Sequence, residues 1–198
     1  MLKRFAAKTL FAFILCIGVL LVLTKAQAYA QEETSIDTTP TPTATATPTP
    51  VDYKLAYPGL LPDNPLYKLK VLRDKIVLQF ITDPMRKIDF YLLQTDKGIL
   101  AANMLVDKNE IALAGQTALK AENNYTLLTN ELPNLPKKPD AAFFNKLQTA
   151  SLKHQEILNG IIAKVQPKDQ DVFKTVLNFS KTNWQSVERY QQKRTIEE

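Results

Sequence analysis

Only one cysteine, Cys16, occurs in the 198 residues, and it lies inside an apolar run near the start. A disulfide framework is excluded, and so is a cysteine-ligated metal site. Histidine is as scarce, with His154 standing alone. A structural zinc site needs four Cys/His ligands and a hydrolytic one about three, so neither assembles here without unusual carboxylate help. Carboxylate di-iron bundles use Glu-x-x-His pairs, and the chain has none. Its five glycines are dispersed, which leaves no Gly-rich phosphate loop and no Gly-x-Ser-x-Gly elbow. A Ser-His-Asp grouping assembled in three dimensions leaves no such signature, although serine is rare. Alternating strand runs between hairpin signals are missing too. The expectation is a protein that is not an enzyme and takes no cofactor and no metal.

What the chain does have begins with an export address. Lys3, Arg4 and Lys8 give a basic start, residues 10–23 are an unbroken apolar run, and Ala26-Gln27-Ala28 and Ala28-Tyr29-Ala30 are small-x-small sites. These are the three parts of a secretory signal. Sixteen residues separate Lys8 from Lys25, short of the roughly 20 that a spanning helix needs. Cleavage after Ala30 is therefore expected, with an uncleaved anchor over residues 9–24 as the alternative. Cys16 reads as hydrophobic filler within the run. Localisation follows: exported, whether extracellular, periplasmic or on the cell surface.

The address also skews the charge. The whole chain is +5, but residues 1–30 hold four basic side chains and no acidic one, leaving 21 basic against 20 acidic residues. A nucleic-acid binder shows a concentrated basic surface, so nucleic acid is rejected as a partner. Residues 38–50 contain seven Thr, four Pro and two Ala. No core can form there, and alternating Thr-Pro favours an extended, semi-rigid spacer. It reads either as a stalk or as an N-terminal tail, and it is a candidate for O-linked sugars.

Beyond it, residues 51–198 form one domain's worth of chain, and helical spacing dominates. The first helix, about 64–81, opens on Asp63, Asn64 and Pro65 and puts Leu66, Leu69, Leu72, Ile76 and Phe80 on one face. Asp83-Pro84 starts the second, about 84–107, with Ile88, Leu92, Thr95, Ile99, Ala102 and Val106 in one stripe. Leu93, Leu100 and Met104 widen that stripe and predict burial on two sides. The third, about 110–131, runs Ile111, Ala114, Ala118, Ala121, Tyr125, Leu128, Leu132, and its alanines predict a close helix contact. Pro133, Pro136 and Pro139 then block helix. Asp140 caps a fourth, about 141–165. A fifth, about 169–192, carries Val172, Val176, Phe179, Asn183, Val187 and Tyr190 in register. The fold expected is all-α: an antiparallel bundle of about five helices after a signal segment (1–30) and a disordered linker (31–50).

His154 falls in phase with Leu147, Ala150, Ile157 and Ile161, on an apolar stripe, and reads as a core histidine rather than a ligand or base. Asn124-Tyr-Thr and Asn178-Phe-Ser match glycosylation sequons but sit on predicted helices and are discounted. Tyr53, Tyr57, Leu60, Leu61 and Tyr67, among Pro58, Pro62 and Pro65, surround the approach to the first helix. They form a candidate docking surface for a sugar or peptide, or a proline-stiffened lead-in packed on the bundle.

The segment from Tyr57 to Ile76, with its Leu-Pro-x-x-Pro-Leu-Tyr-x-Leu-Lys box, followed by Asp83-Pro84 and the Asp89–Lys97 helix, resembles an exported bacterial domain of unknown function. The resemblance covers about 55–130. It implies a helical bacterial surface or periplasmic protein with no assigned activity and no catalytic residues to carry over. Related domains look like the outer parts of anti-sigma-type membrane regulators, but this chain shows no second apolar run of spanning length. The functional expectation is an exported, non-enzymatic interaction or scaffold domain of the cell envelope. The alternative is an extracytoplasmic sensor or regulatory subunit. The expected partner is an envelope protein or surface glycan, with membrane contact only through the N-terminal segment if it stays uncleaved.

Overall fold

The computed structural model describes residues 50–196. The export address, Cys16 and nearly all of the Thr/Pro spacer lie outside the described residues. Within them there are five α-helices: α1 (Tyr67–Phe80), α2 (Pro84–Asp107), α3 (Ile111–Glu131), α4 (Ala141–Lys164) and α5 (Gln170–Ile196). Short 3-10 turns at Leu132–Asn134 and Pro167–Asp169 link the later ones. The all-α bundle expected from periodicity is what the chain forms.

The helix ends follow local chemistry. Asp83 accepts from the amides of Met85 and Arg86 (2.8 and 3.4 Å), with Pro84 at the first helical position. Asp140 accepts from Phe143 N at 2.8 Å. At the other end of α2, Asn109 adopts φ 62°. Glu110 N then reaches Leu105 O (2.8 Å) and Asn109 N reaches Val106 O (2.9 Å), the paired bonds of a Schellman stop. This tight link makes α2 and α3 an antiparallel hairpin. The first helix begins a turn later than the proline suggested, because Asn64 accepts from Leu66 N (2.9 Å) and holds a turn there.

Four helices make the bundle. α2 packs on α3, α3 on α5, α5 on α4 and α4 on α2. The segment between α3 and α4, interrupted by Pro133, Pro136 and Pro139, therefore crosses a diagonal of the square. Gly98 lies at the closest approach of α2 and α3: a Cβ there would stand 2.5 Å from Ala121 Cβ. Ala114, Ala118 and Ala121 are buried as their spacing predicts.

The core is two apolar clusters. One gathers Ile99, Leu105, Ala118, Leu158, Ile161 and Phe173. The other gathers Ile88, Leu92, Tyr125, Leu128, Phe144 and Leu147. Between them every bundle helix contributes polar side chains: Thr95 and Asp96, Glu122, Ser151 and His154, Ser180 and Asn183, all buried.

Two sequence expectations are corrected, and the direction of the α1 face is decided. In α5 the buried positions are Phe173, Val176, Leu177, Ser180, Asn183 and Val187, while Val172 and Phe179 are exposed. Val176, Asn183 and Val187 are buried as their spacing predicts, but Phe173, Leu177 and Ser180 complete the face in place of Val172 and Phe179. In α2, Leu93 is exposed and Leu100 and Met104 are half-buried, so the second buried side lies instead along Tyr91, Ala101 and Leu105. In α1 no residue is buried. Tyr67, Val71, Asp74 and Leu78 are its half-buried side, whereas Leu66, Leu69, Leu72, Ile76 and Phe80 face solvent.

Candidate functional site

Two features stand out from the bundle as candidates: the polar layer at its centre and the outward face of α1. In the layer, α4 carries His154 to the axis with 0% exposure. Its Nε2 lies 2.7 Å from Asp96 Oδ1 on α2. The other oxygen of Asp96 accepts from the Tyr53 hydroxyl at 2.8 Å. His154 Nδ1 faces Glu122 Oε1 of α3 at 3.8 Å, close enough for ionic attraction but too far for a hydrogen bond. Among the described residues, these two are the buried side-chain atoms left without a hydrogen-bond partner. Glu122 Oε2 accepts from Asn183 Nδ2 of α5 at 3.1 Å, and Asn183 in turn accepts from Thr126 Oγ1 at 3.0 Å. The ring of Tyr125 stands edge-on to the imidazole at 6.0 Å, its hydroxyl spent on Leu147 O.

Burial pushes the Glu122 carboxyl above its ordinary value, against the opposing pull of His154, Asn183 and Ser180. The geometry agrees. With Asp96 taking the Nε2 proton, a bare Nδ1 and a bare carboxylate would present lone pairs to each other. One proton between them removes that conflict. Tyr53 is also raised, by burial first and then by the Asp96 charge. His154 is thus the core histidine its phase predicts, but its neighbours are acids as well as the apolar residues of its own helix. Sequence reasoning missed Asp96 and Glu122. The available signal was that polar residues interrupt all four apolar stripes at the same height in the bundle.

The layer is sealed. Residues 51–61 lie across it as a strap, with Val51 N on Glu156 Oε2 at 2.7 Å and Leu55 and Tyr53 packed against the two core clusters. Among the described residues no group of three or more His, Cys, Asp and Glu side chains is arranged to hold a metal ion. Nor is any helix there long and apolar enough to cross a membrane.

The structure divides the five residues of the candidate docking surface. Tyr53 is half-buried in the strap and Leu61 is buried. Tyr67 is half-buried, with the Lys70 ammonium 5.3 Å from its ring centroid. Only Tyr57 (69% exposed) and Leu60 remain open. These two join Leu66, Leu69, Lys70 and Arg73 around a shallow hollow of about 510 Å³. The ridge continues along α1 through Leu72, Ile76 and Phe80, the last 80% exposed. An apolar ridge of this kind marks a contact surface more often than scattered exposed residues do.

The chain belongs to the family described as Domain of unknown function (DUF5667), whose model matches residues 59–183. That span runs from the start of the ridge to Asn183 of the polar layer. No curated protein and no solved structure matches the chain.

Proposed function

We propose that the protein is an exported, non-enzymatic interaction domain of the bacterial cell envelope, preceded by a Thr/Pro spacer. The observation that carries the reading is the α1 ridge: a helix whose apolar stripe is turned away from its own bundle, beside the open Tyr57 and Leu60. A side chain such as Phe80 in water forgoes roughly 2 kcal/mol or more of burial energy, which a partner surface would recover. The groups with chemistry to offer, Asp96, Glu122 and His154, lie beneath the strap and inside the core, where they serve packing rather than a substrate.

A sensor reading keeps some support from the same layer. A buried acid–imidazole pair 3.8 Å apart, tied through Asp96 to Tyr53 of the strap, links an inner polar layer to an outer segment. On that reading a ligand or partner at the envelope would bias the strap.

The test is capture from envelope extracts with the full chain as bait. An envelope protein or glycan should be retained by the wild type and lost with Leu72→Glu, which alters an exposed position. Retention unchanged by that variant would move the contact away from α1. Export has its own check: mass spectrometry of the secreted protein should give a new N-terminus near Gln31, and an intact Met1 or Leu2 end in the membrane fraction would establish an anchor instead.

A further inference from the structure

We propose that α1 is an interfacial helix that seats this domain on an anionic lipid surface. The inference deepens the interaction reading, since it rests on the ridge being where the domain meets its surroundings.

The argument is geometric first. Leu66, Leu69, Leu72, Ile76 and Phe80 follow one another at spacings of three and four, so they form one line along the helix, and every one is exposed. The opposite side, through Tyr67, Val71 and Leu78, is the half-buried one. The ridge therefore faces away from the bundle, with the shallow hollow only at its N-terminal end, and a planar surface can lie against it.

Charge selects the kind of surface. The 14 residues of α1 hold four basic side chains, Lys68, Lys70, Arg73 and Lys75, against one acidic residue, Asp74. That acid is already engaged by Arg73 at 2.7 Å. By helical phase, Lys70 borders the stripe on one edge, Lys68 and Lys75 lie on its other flank, and Arg73 lies within it. Cations flanking an apolar face are the pattern of a helix lying in a headgroup layer, where the long basic stems reach up to phosphate while the apolar side chains sink 5–10 Å. The same charge argues against a second copy: pairing two such helices would set one excess of positive charge against another. It also argues against a neutral or basic partner.

The chain outside the described residues points the same way. The apolar run of residues 10–23 precedes α1 by a spacer rich in Thr and Pro. During export that run is at the membrane, so the ridge emerges within a linker's reach of lipid.

The test uses the full chain with Trp184→Phe and Phe80→Trp, so that the reporter in α1 is the chain's single tryptophan. Because the N-terminal run can enter any bilayer, the reading is taken at residue 80 and not from binding alone. Vesicles of phosphatidylcholine with about a third phosphatidylglycerol are compared with pure phosphatidylcholine, both containing brominated chains. The expected result is a blue shift and strong quenching in the anionic vesicles only, reversed by high salt. Lys68→Gln with Lys75→Gln should weaken the α1 contact roughly thirtyfold, at about a factor of five per cation. Leu69→Glu with Leu72→Glu should abolish it while leaving the helical spectrum unchanged.

An aqueous emission at residue 80 in both vesicles overturns the proposal. So does equal quenching in neutral vesicles. So does an ultracentrifugation profile in which Leu72→Glu converts a dimer to a monomer without any lipid signal. If the lipid signal fails while Leu72→Glu still abolishes capture of an envelope protein, the interaction reading stands and only the lipid assignment falls. If both fail, the ridge is not a contact surface.

Discussion

A buried carboxyl costs little when protonated and much when charged, and Glu122 sits where that difference can be measured. Its folded-state pKa is raised by burial, so between the ordinary value of 4.5 and the raised one the folded chain binds more protons than the unfolded chain. Stability must then fall as pH climbs through that window, and is fully retained below it. Glu122→Gln removes the titration and keeps the shape. Its amide N–H would point at the His154 Nδ1 lone pair across the 3.8 Å gap in place of a carboxylate oxygen, which removes a buried charge and a lone-pair clash, while its oxygen still accepts from Asn183. We expect the variant to be more stable at neutral pH by about 1–3 kcal/mol, with the gain vanishing toward pH 4.5, as read from urea unfolding across pH. A loss of stability at neutral pH would mean that the carboxylate is ionised and paired with an imidazolium. Tyr53 offers a second measurement at this scale. Its hydroxyl ties the strap to Asp96, so Tyr53→Phe should cost about 1 kcal/mol and speed amide exchange over residues 51–58. Exchange left unchanged there would show that packing of Leu55, Pro58 and Leu61 holds the strap without the hydroxyl.

Elements were legible where their cause is local. Asp83 and Asp140 bond to amides two or three residues away, so a short stretch of sequence contains the whole signal, and the α2 boundaries follow directly. The α3 stripe was legible because alanine marks a close contact whatever lies opposite. The same reasoning misjudged the edge of the α5 face and left open which way the α1 face points. In Val172-Phe173 and Val176-Leu177 two apolar alternations overlap one residue apart, and only the neighbouring helices decide between them. In α1 the stronger apolar stripe is real but faces outward, and periodicity carries no information about what covers a face. The site was half legible. His154 could be placed by phase, but its partners Asp96 and Glu122 arrive from other helices, and no local spacing connects them. Packing at the α2–α3 contact gives the prediction for this scale. A methyl at residue 98 would stand 2.5 Å from Ala121 Cβ, so Gly98→Ala should destabilise by about 1–3 kcal/mol through overpacking, despite alanine's better helix propensity. Ala118→Leu, at a fully buried position of the same helix pair, should cost a similar amount. On α1, by contrast, Leu72→Ser should shift stability by no more than about 0.5 kcal/mol, since the side chain has nothing to lose. Denaturant midpoints would separate the cases, and a large effect at residue 72 would place that face against the bundle.

Across the molecule, the polar layer divides one bundle into two apolar halves and touches all four of its helices. Ile99, Leu158 and Phe173 lie on one side of it, Leu92, Leu147 and Val187 on the other. Any slip of a helix along its axis would pull a charged group out of the layer and into an apolar cluster, so the layer selects one register among the several that leucine- and alanine-rich stripes permit. Specificity of this kind need not add net stability, and the two effects can be told apart. Removing one member strands the rest: with His154→Leu, Asp96 and Glu122 remain buried without the imidazole between them, and the loss should be about 3–5 kcal/mol. Replacing all three, Asp96→Val with Glu122→Leu and His154→Leu, leaves no ionisable group in the layer. Asn183 keeps its bond from Thr126 and its donation to the Glu122 backbone carbonyl (3.2 Å), while the half-buried Tyr53 hydroxyl can turn toward solvent. The triple variant should therefore be more stable than the single one, although it carries two further substitutions. It should also lose definition, with broadened side-chain resonances and weaker, less uniform amide protection across the bundle. Urea unfolding orders the three stabilities, and NMR reads the definition. If the triple variant is the least stable and every loss adds to the next, the layer contributes as separate contacts and does not set the register of the bundle.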